Sequence, residues 1–324
     1  MEPSLFIDRE DELSHAMQCL FSEGMNINVF GEPGIGKTSF LNKLRDEIIK
    51  AHPDTLVIQL FLLSYVERET VDLARIFLLA IADAIWEEVF KSPYSELMQL
   101  LGQPDPASAT FSKEKRSFLR IYRLLRSGSI SSQVEETAEL EGKLVLGAKK
   151  GEKYWVQYQI SDLFQFEFSR LLSELIPVME KSKKSRIVIL ADEANYLRGE
   201  KAEQVLRRNF DILLDNRIRY VFVTFESAKK TFYEADKVLH QEVFLGPFPN
   251  ESVLDQLIDW YCASFASIGE QTLKFTRKAR QAIWEKSQGH PFKIQRLCRG
   301  AWLNAKHRRS TTVDIEDVET ALHH

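Results

Sequence analysis

The run Gly31-Glu32-Pro33-Gly34-Ile35-Gly36-Lys37-Thr38 satisfies the template G-x-x-x-x-G-K-[ST] at every fixed position. An apolar stretch, Asn26-Ile27-Asn28-Val29-Phe30, leads into it, and a helix-compatible stretch, Ser39-Phe40-Leu41-Asn42-Lys43-Leu44-Arg45, follows. The run therefore sits between a buried strand and a helix N-terminus. Glycines at 31, 34 and 36 let the backbone curl so that successive N–H groups point inward at an anion. The helix adds its positive dipole end. Lys37 is placed to reach the β- and γ-phosphates of a nucleotide, and the Thr38 hydroxyl to ligate Mg2+.

A second element complements this loop. Arg186-Ile187-Val188-Ile189-Leu190-Ala191-Asp192-Glu193 is a short apolar run that ends in two acids. An all-apolar strand of this length belongs inside a parallel sheet covered on both faces. Ligands in such sheets bind outside the carboxyl ends of strands, where Asp192 and Glu193 fall. Asp192 is the candidate to hold Mg2+ through water, and Glu193 the candidate to polarise an attacking water as general base.

The chain has 324 residues, 44% of them apolar and 28% charged, with net charge −4. That length suits one large or two modest domains, and the net charge excludes a polycation. Cys19, Cys262 and Cys298 are scattered and odd in number, with neither a disulfide framework nor metal-ligand spacing. The first residues lack a basic region followed by an apolar core, so no signal peptide is expected. The most apolar stretches, 56–66 and 76–86, are too short to span a bilayer. A cytoplasmic protein that does not engage a membrane is the expectation.

Strands are expected at 26–30, 55–63, 186–193, 220–224 and 242–245, with a first helix running to about 21 and others at 39–45, 71–90, 164–179 and 201–216. Residues from about 92 to 158 break this alternation and read as an insertion with a β-hairpin around Gly147 to Gly151. After Gly246-Pro247-Phe248-Pro249 everything reads as helix: about 251–265, 276–287, 291–307 and 313–322. The expected architecture is an α/β core with a five-stranded parallel sheet over residues 1–247, followed by a small all-α lid domain over 248–324.

Together these residues resemble the AAA+ and STAND-type P-loop ATPases, above all the origin-recognition-like and archaeal-type members. Three further features carry the resemblance. Phe6-Ile7-Asp8-Arg9-Glu10-Asp11-Glu12-Leu13 is similar to the opening segment that lies against the adenine in that group, which implies Phe6, Ile7 and Arg9 as nucleotide contacts. Thr224, ending the strand after the acidic one, stands where the first sensor residue orients water or reads the γ-phosphate. Gln288-Gly289-His290-Pro291-Phe292 resembles the G-x-P motif of the helical lid, which implies that Pro291 packs near base and ribose. The segment 311–318 resembles the last lid helix, capped by Thr312 or Asp314. The resemblance implies ATP and Mg2+ as ligands, with residues 31–39, Ser39 included, around the phosphates.

Two departures bear on rate. Residues 225–241 contain no arginine, only Lys229, Lys230 and Lys237, and lysine lacks the planar fork that grips a phosphoryl group. Arg217 and Arg219, or Arg207 and Arg208, are the candidates to act in trans from a neighbouring subunit. Phe292 stands where origin-type lids carry an arginine. Slow hydrolysis and a nucleotide-gated switch are therefore expected, with lid closure controlling self-association in ATP or engagement of a separate protein. The alternative is a DNA-associated ATPase of the target-selection or origin-loading type. Eleven basic residues against one acid, Glu285, from Lys274 to Arg309 inclusive form a footprint for phosphates, sequence-independent and salt-sensitive. The same residues could instead face the nucleotide or an acidic neighbouring subunit. A scaffold that never hydrolyses ATP is the third reading, opposed by intact Lys37, Asp192 and Glu193.

Overall fold

The structure is a computed structural model that describes residues 8–62, 73–102, 112–127, 160–194, 210–225, 241–267 and 273–322. Five strands, β1 (Ile27–Phe30), β2 (Thr55–Phe61), β3 (Arg186–Asp192), β4 (Ile218–Thr224) and β5 (Gln241–Phe244), form one parallel sheet in the order β2-β3-β4-β1-β5. β1 is buried at every position and β3 at all but its first, as strands covered on both faces must be. The helices around them are α1 (Glu10–Gln18), α2 (Lys37–Ala51), α3 (Leu73–Ile85), α4 (Tyr94–Leu101), α5 (Lys113–Ser127), α6 (Ile160–Glu180) and α7 (Phe210–Leu213). Then come α8 (Ser252–Ser267), a short strand β6 (Lys274–Phe275), α9 (Arg277–Ser287), α10 (Pro291–His307), a second short strand β7 (Thr312–Val313) and α11 (Ile315–Ala321).

The chain divides into two compact units. One comprises Met1–Glu47, Phe222–Lys230 and Leu239–His324, the other Ile48–Val221 and Thr231–Val238.

In the second unit β2 and β3 pair in parallel from Thr55↔Arg186 to Phe61↔Asp192. α3 is apolar nearly all round and packs against β2, α5 and α6. Part of the stretch expected to be an insertion belongs to this core. Residues 94–101 and 113–127 are helices, and Trp86, Phe118 and Tyr122 are buried in one aromatic cluster, with Trp86 and Phe118 stacked 5.8 Å apart. The sequence period there is helical, but the Gly102 to Pro106 break masked it. The β-hairpin expected around Gly147 to Gly151 lies outside the described residues.

In the first unit β1 pairs with β5 in parallel. The C-terminal helices enclose their own core of Leu254, Ile258, Ile283, Leu297, Trp302 and Val318. The expectation of pure helix after residue 248 is corrected here: β6 and β7 pair in parallel through Lys274↔Thr312 and Phe275↔Val313. Two-residue strands carry too short a pattern to be read. Asp314 rather than Thr312 caps the last helix, in a capping box with Asp317. Among the described residues no helix is long and apolar enough to cross a membrane.

Candidate nucleotide site

β1 delivers the chain to Gly31, where any side chain would collide with the carbonyl oxygen of Leu245. The loop is pinned below by Ile35, 2% exposed. Gly36 has φ +97, and a side chain there would meet no atom within 4 Å. That open space beside curled backbone is what an anion cradle needs. α2 starts at Lys37, and its first turn closes with Phe40 N–H donating to Gly36 O at 2.9 Å. Lys37 is buried, with Nζ donating to the carbonyls of Gly31 at 2.9 Å and Glu32 at 2.8 Å. The same ammonium stands 4.6 Å from the Phe225 ring centroid. Thr38 and Ser39 are exposed on the first turn. An ammonium, a helix N-terminus and an exposed hydroxyl are the donor set that suits a polyphosphate and its divalent cation.

Beside β1, at the end of β4, the buried Thr224 hydroxyl donates to Oδ1 of buried Asn28 at 2.9 Å. Asn28 was not singled out from the sequence. The available signal was an amide inside the otherwise apolar run 27–30, since a buried amide requires a partner.

Asp192 and Glu193 belong to the second unit. Asp192 is 2% exposed, and its Oδ1 accepts the Glu193 N–H at 2.8 Å, while its carbonyl accepts the Leu62 N–H at 3.1 Å. Glu193 has φ +58. A non-glycine residue in this left-handed region costs about 1–2 kcal/mol, and here it turns the chain sharply at the strand's carboxyl end.

The segment 288–292 touches the phosphate loop within the first unit. Pro291 opens α10 behind His290. A Cβ on Gly34 would lie 2.7 Å from Phe292 Cβ and 3.4 Å from His290 Cε1. His290 is buried, with Nε2 3.6 Å from Glu32 Oε2 and Nδ1 without a partner among the described residues. Sequence similarity pointed to Pro291; its two neighbours make the contacts. Arg9 is committed elsewhere: its guanidinium donates to Gly246 O, pairs with Glu12 at 2.9 Å and lies 5.2 Å from the Phe248 ring centroid. It ties the opening segment to the turn after β5. Phe6 and Ile7 lie outside the described residues, as do Arg207 and Arg208.

Arg217 immediately precedes β4 and Arg219 is its second residue, about 20 Å along the strand from Thr224. Arg217 donates to Asp215 Oδ1 at 2.8 Å and to the Ser169 and Ser173 hydroxyls at 2.8 and 2.7 Å. Burial pushes the Asp215 carboxyl up, but the Arg217 hydrogen bonds outweigh it and hold the acid below its ordinary range. Arg219 donates to the Asn216 and Ile218 carbonyls, and burial lowers its basicity. Arg217 thus fastens the foot of β4 to α6.

Among solved structures, the chain is similar to the Orc1 protein of Aeropyrum pernix in complex with DNA, at 15% identity, over 98% of this chain and 65% of that one, with TM-score 0.50. This likeness bears on the fold alone, and the chain spans less than two thirds of the Orc1 chain. The RuvB Holliday junction branch migration motor of Thermotoga maritima matches at 11% identity over 97% of this chain and 67% of that one, with TM-score 0.43. No curated protein matches the sequence. The family model for the KAP family P-loop domain matches residues 11–227, from α1 past the end of β4 and across both the glycine-rich loop and the acidic strand. That span covers more than half of the chain, and the protein belongs to the KAP family of P-loop proteins.

Proposed function

We propose that the protein binds ATP with Mg2+ at the loop 31–39 and hydrolyses it slowly, as a switch. The observation that carries this reading is the Lys37 ammonium held by the Gly31 and Glu32 carbonyls at the start of α2, beside the open face of Gly36. In this reading Lys37 turns from those carbonyls to the β- and γ-phosphates. Thr38 would hold Mg2+, with Asp192 as the acid proposed to reach it through water, and the ion would neutralise phosphate charge. Glu193 takes a proton from water as the water attacks the γ-phosphorus and the bond to the bridging oxygen breaks, yielding ADP and phosphate. Thr224, fixed by Asn28, orients that water or reads the γ-phosphate. Slow turnover is supported by the engagement of Arg217 and Arg219 in local hydrogen bonds.

The moving parts are proposed to be a core over 1–247 and a lid over 248–324. The contact of His290 and Phe292 with the loop at Gly34 and Glu32 supports coupling between nucleotide and lid. ATP closes the lid, and closure promotes self-association or capture of a separate protein in the cytoplasm. The test is turnover and molecular mass in ATP and in ADP. Assembly confined to ATP, and retained ATP in Glu193→Gln, are expected; equal mass in both nucleotides overturns the switch. A second reading, association with DNA through the basic helical region, is favoured by exposed Arg296 and Arg299. It requires turnover stimulated by duplex DNA and affinity that falls steeply with salt.

A further inference from the structure

The basic residues of the C-terminal helices divide into two kinds. Arg280 bridges Asp255 and Asp259 at 2.7 and 2.9 Å, and Arg308 grips Asp317 through Nε at 2.8 Å and Nη2 at 2.5 Å. Both hold the fold together. Arg296 and Arg299 on α10 are exposed and have no hydrogen-bond or ion-pair partner among the described residues. They line an open groove of about 600 Å³ together with Phe292, Leu303, His307 and Ala321. Phe292 is 56% exposed and Leu303 40%. The groove is floored where α10 and α11 meet at Gly300, whose missing side chain would lie 2.7 Å from Ala321 Cβ.

The same unit carries a groove of opposite sign. It encloses about 420 Å³ and is lined by Asp8, Glu10, Asp11, Glu12, Phe244 and Pro247 among others. Glu12 is answered by Arg9. Asp11 is exposed without a partner among the described residues, and Asp8 buries one carboxylate oxygen that accepts no hydrogen bond there. Phe244 is 51% exposed.

We propose that the α10 groove of one molecule docks against the α1–β5 groove of a second copy. Each face offers what the other lacks: unpaired guanidiniums against unanswered carboxylates, with an exposed phenylalanine on both sides. Aromatic and arginine side chains at the centre of a patch are the usual anchors of a protein interface, and opposed charges set register and rate of encounter. A nucleic acid backbone would satisfy Arg296 and Arg299 but would leave Phe292, Leu303 and the whole acidic groove unexplained. Because the two faces differ, the contact is head-to-tail, closing into a ring or continuing as a filament according to its rotation. Phe292 also packs its Cβ against Gly34, so the docking face begins at the phosphate loop. This inference rests on the self-association proposed above and supplies its surfaces.

The experiment is sedimentation with MgATP over a concentration series, on the full chain, with binding of a fluorescent ATP analogue measured on the same samples. The variants are Arg296→Glu with Arg299→Glu, Glu10→Arg with Asp11→Arg, and Asp11→Arg alone, which spares the Glu10 contact with the Arg9 N–H. Wild type should assemble. Each variant should bind the analogue normally and self-associate about tenfold or more weakly. The two double variants mixed in equal amounts should assemble again, since reversed faces meet reversed faces. Wild type that binds the analogue yet stays monomeric overturns the self-association reading itself. Wild type that assembles while the variants assemble equally well overturns only these surfaces, as does a mixture that fails to reassemble. A monomeric wild type whose duplex-DNA affinity is lost in Arg296→Glu with Arg299→Glu assigns the α10 face to DNA instead.

Discussion

The phosphate loop and the end of β3 solve the same backbone problem in opposite ways. Both turn a buried strand sharply at its carboxyl end, and both do so with positive φ. In the loop the turn is made by glycine, φ +77 at Gly34 and +97 at Gly36; a side chain at Gly34 would strike Phe292 Cβ, whereas one at Gly36 would point into open space. At β3 the turn is made by Glu193, φ +58, with the Asp192 carboxylate accepting its N–H. Glycine would fit that conformation with less strain, so the carboxylate is retained against a local cost of about 1–2 kcal/mol. The loop turns on glycine, and the strand end turns on an acid.

That contrast can be broken at either end. The largest effect is expected for Glu193→Gln: ATP turnover should fall by about 10²–10⁴-fold with nucleotide affinity retained, measured by phosphate release and equilibrium binding. Unchanged turnover would remove Glu193 from the chemistry. Lys37→Ala should weaken ATP affinity by about 10- to 100-fold, the worth of hydrogen bonds to a charged group, read by titration with a fluorescent analogue. Thr224→Val should cost about 1–3 kcal/mol of stability, because buried Asn28 loses the donor to its side-chain oxygen, whereas Thr224→Ser should retain most of it in chemical denaturation.

The remaining tests sharpen the contrast. At the amino end of β4, Asp215 titrates below its ordinary range because hydrogen bonds from Arg217 outweigh burial. A depressed carboxylate contributes stability above its unfolded value, about 3.9, and that contribution is lost as pH falls through the folded value. Asp215→Asn should therefore lower stability at neutral pH and flatten the acid side of the curve below about pH 4, seen in melting temperature against pH. The smallest effect is the most discriminating. Glu193→Gly should raise the melting temperature by about 2–4 °C, since it relieves a strain of order 1 kcal/mol, while turnover collapses as in Glu193→Gln. A loss of stability would mean that Glu193 is structural.

Much of the core was readable in advance, and the failures share a cause. The strands expected at 26–30, 186–193 and 220–224, found at 27–30, 186–192 and 218–224, declared themselves because a strand covered on both faces is a continuous apolar run. The helices at 94–101 and 113–127 were hidden in an apparent insertion, since the second packs on α6, more than 30 residues further along the chain, and the break at Gly102 to Pro106 separates the two. The two-residue pair of Lys274–Phe275 with Thr312–Val313 carries no period at all. Arg9 donates to Gly246 and pairs with Glu12, and the contact with Gly246, 237 residues away, is one no local pattern encodes.

By itself the sequence determined the local arrangements that contiguous residues form: a glycine-rich loop ahead of a helix N-terminus, and an apolar strand ending in Asp192 and Glu193. Phosphates are bound largely by backbone and by neighbours along the chain, so spacing is enough to reveal such a site. Only the tertiary structure decided who answers whom. It paired Thr224 with Asn28, 196 residues away, laid Phe292 on Gly34, and separated the arginines that close ion pairs, Arg217, Arg280 and Arg308, from Arg296 and Arg299, which face outward unpaired. A charge has the same symbol in either case. Whether it stabilises the fold or awaits a partner depends on which distant segment the packing brings within hydrogen-bonding distance.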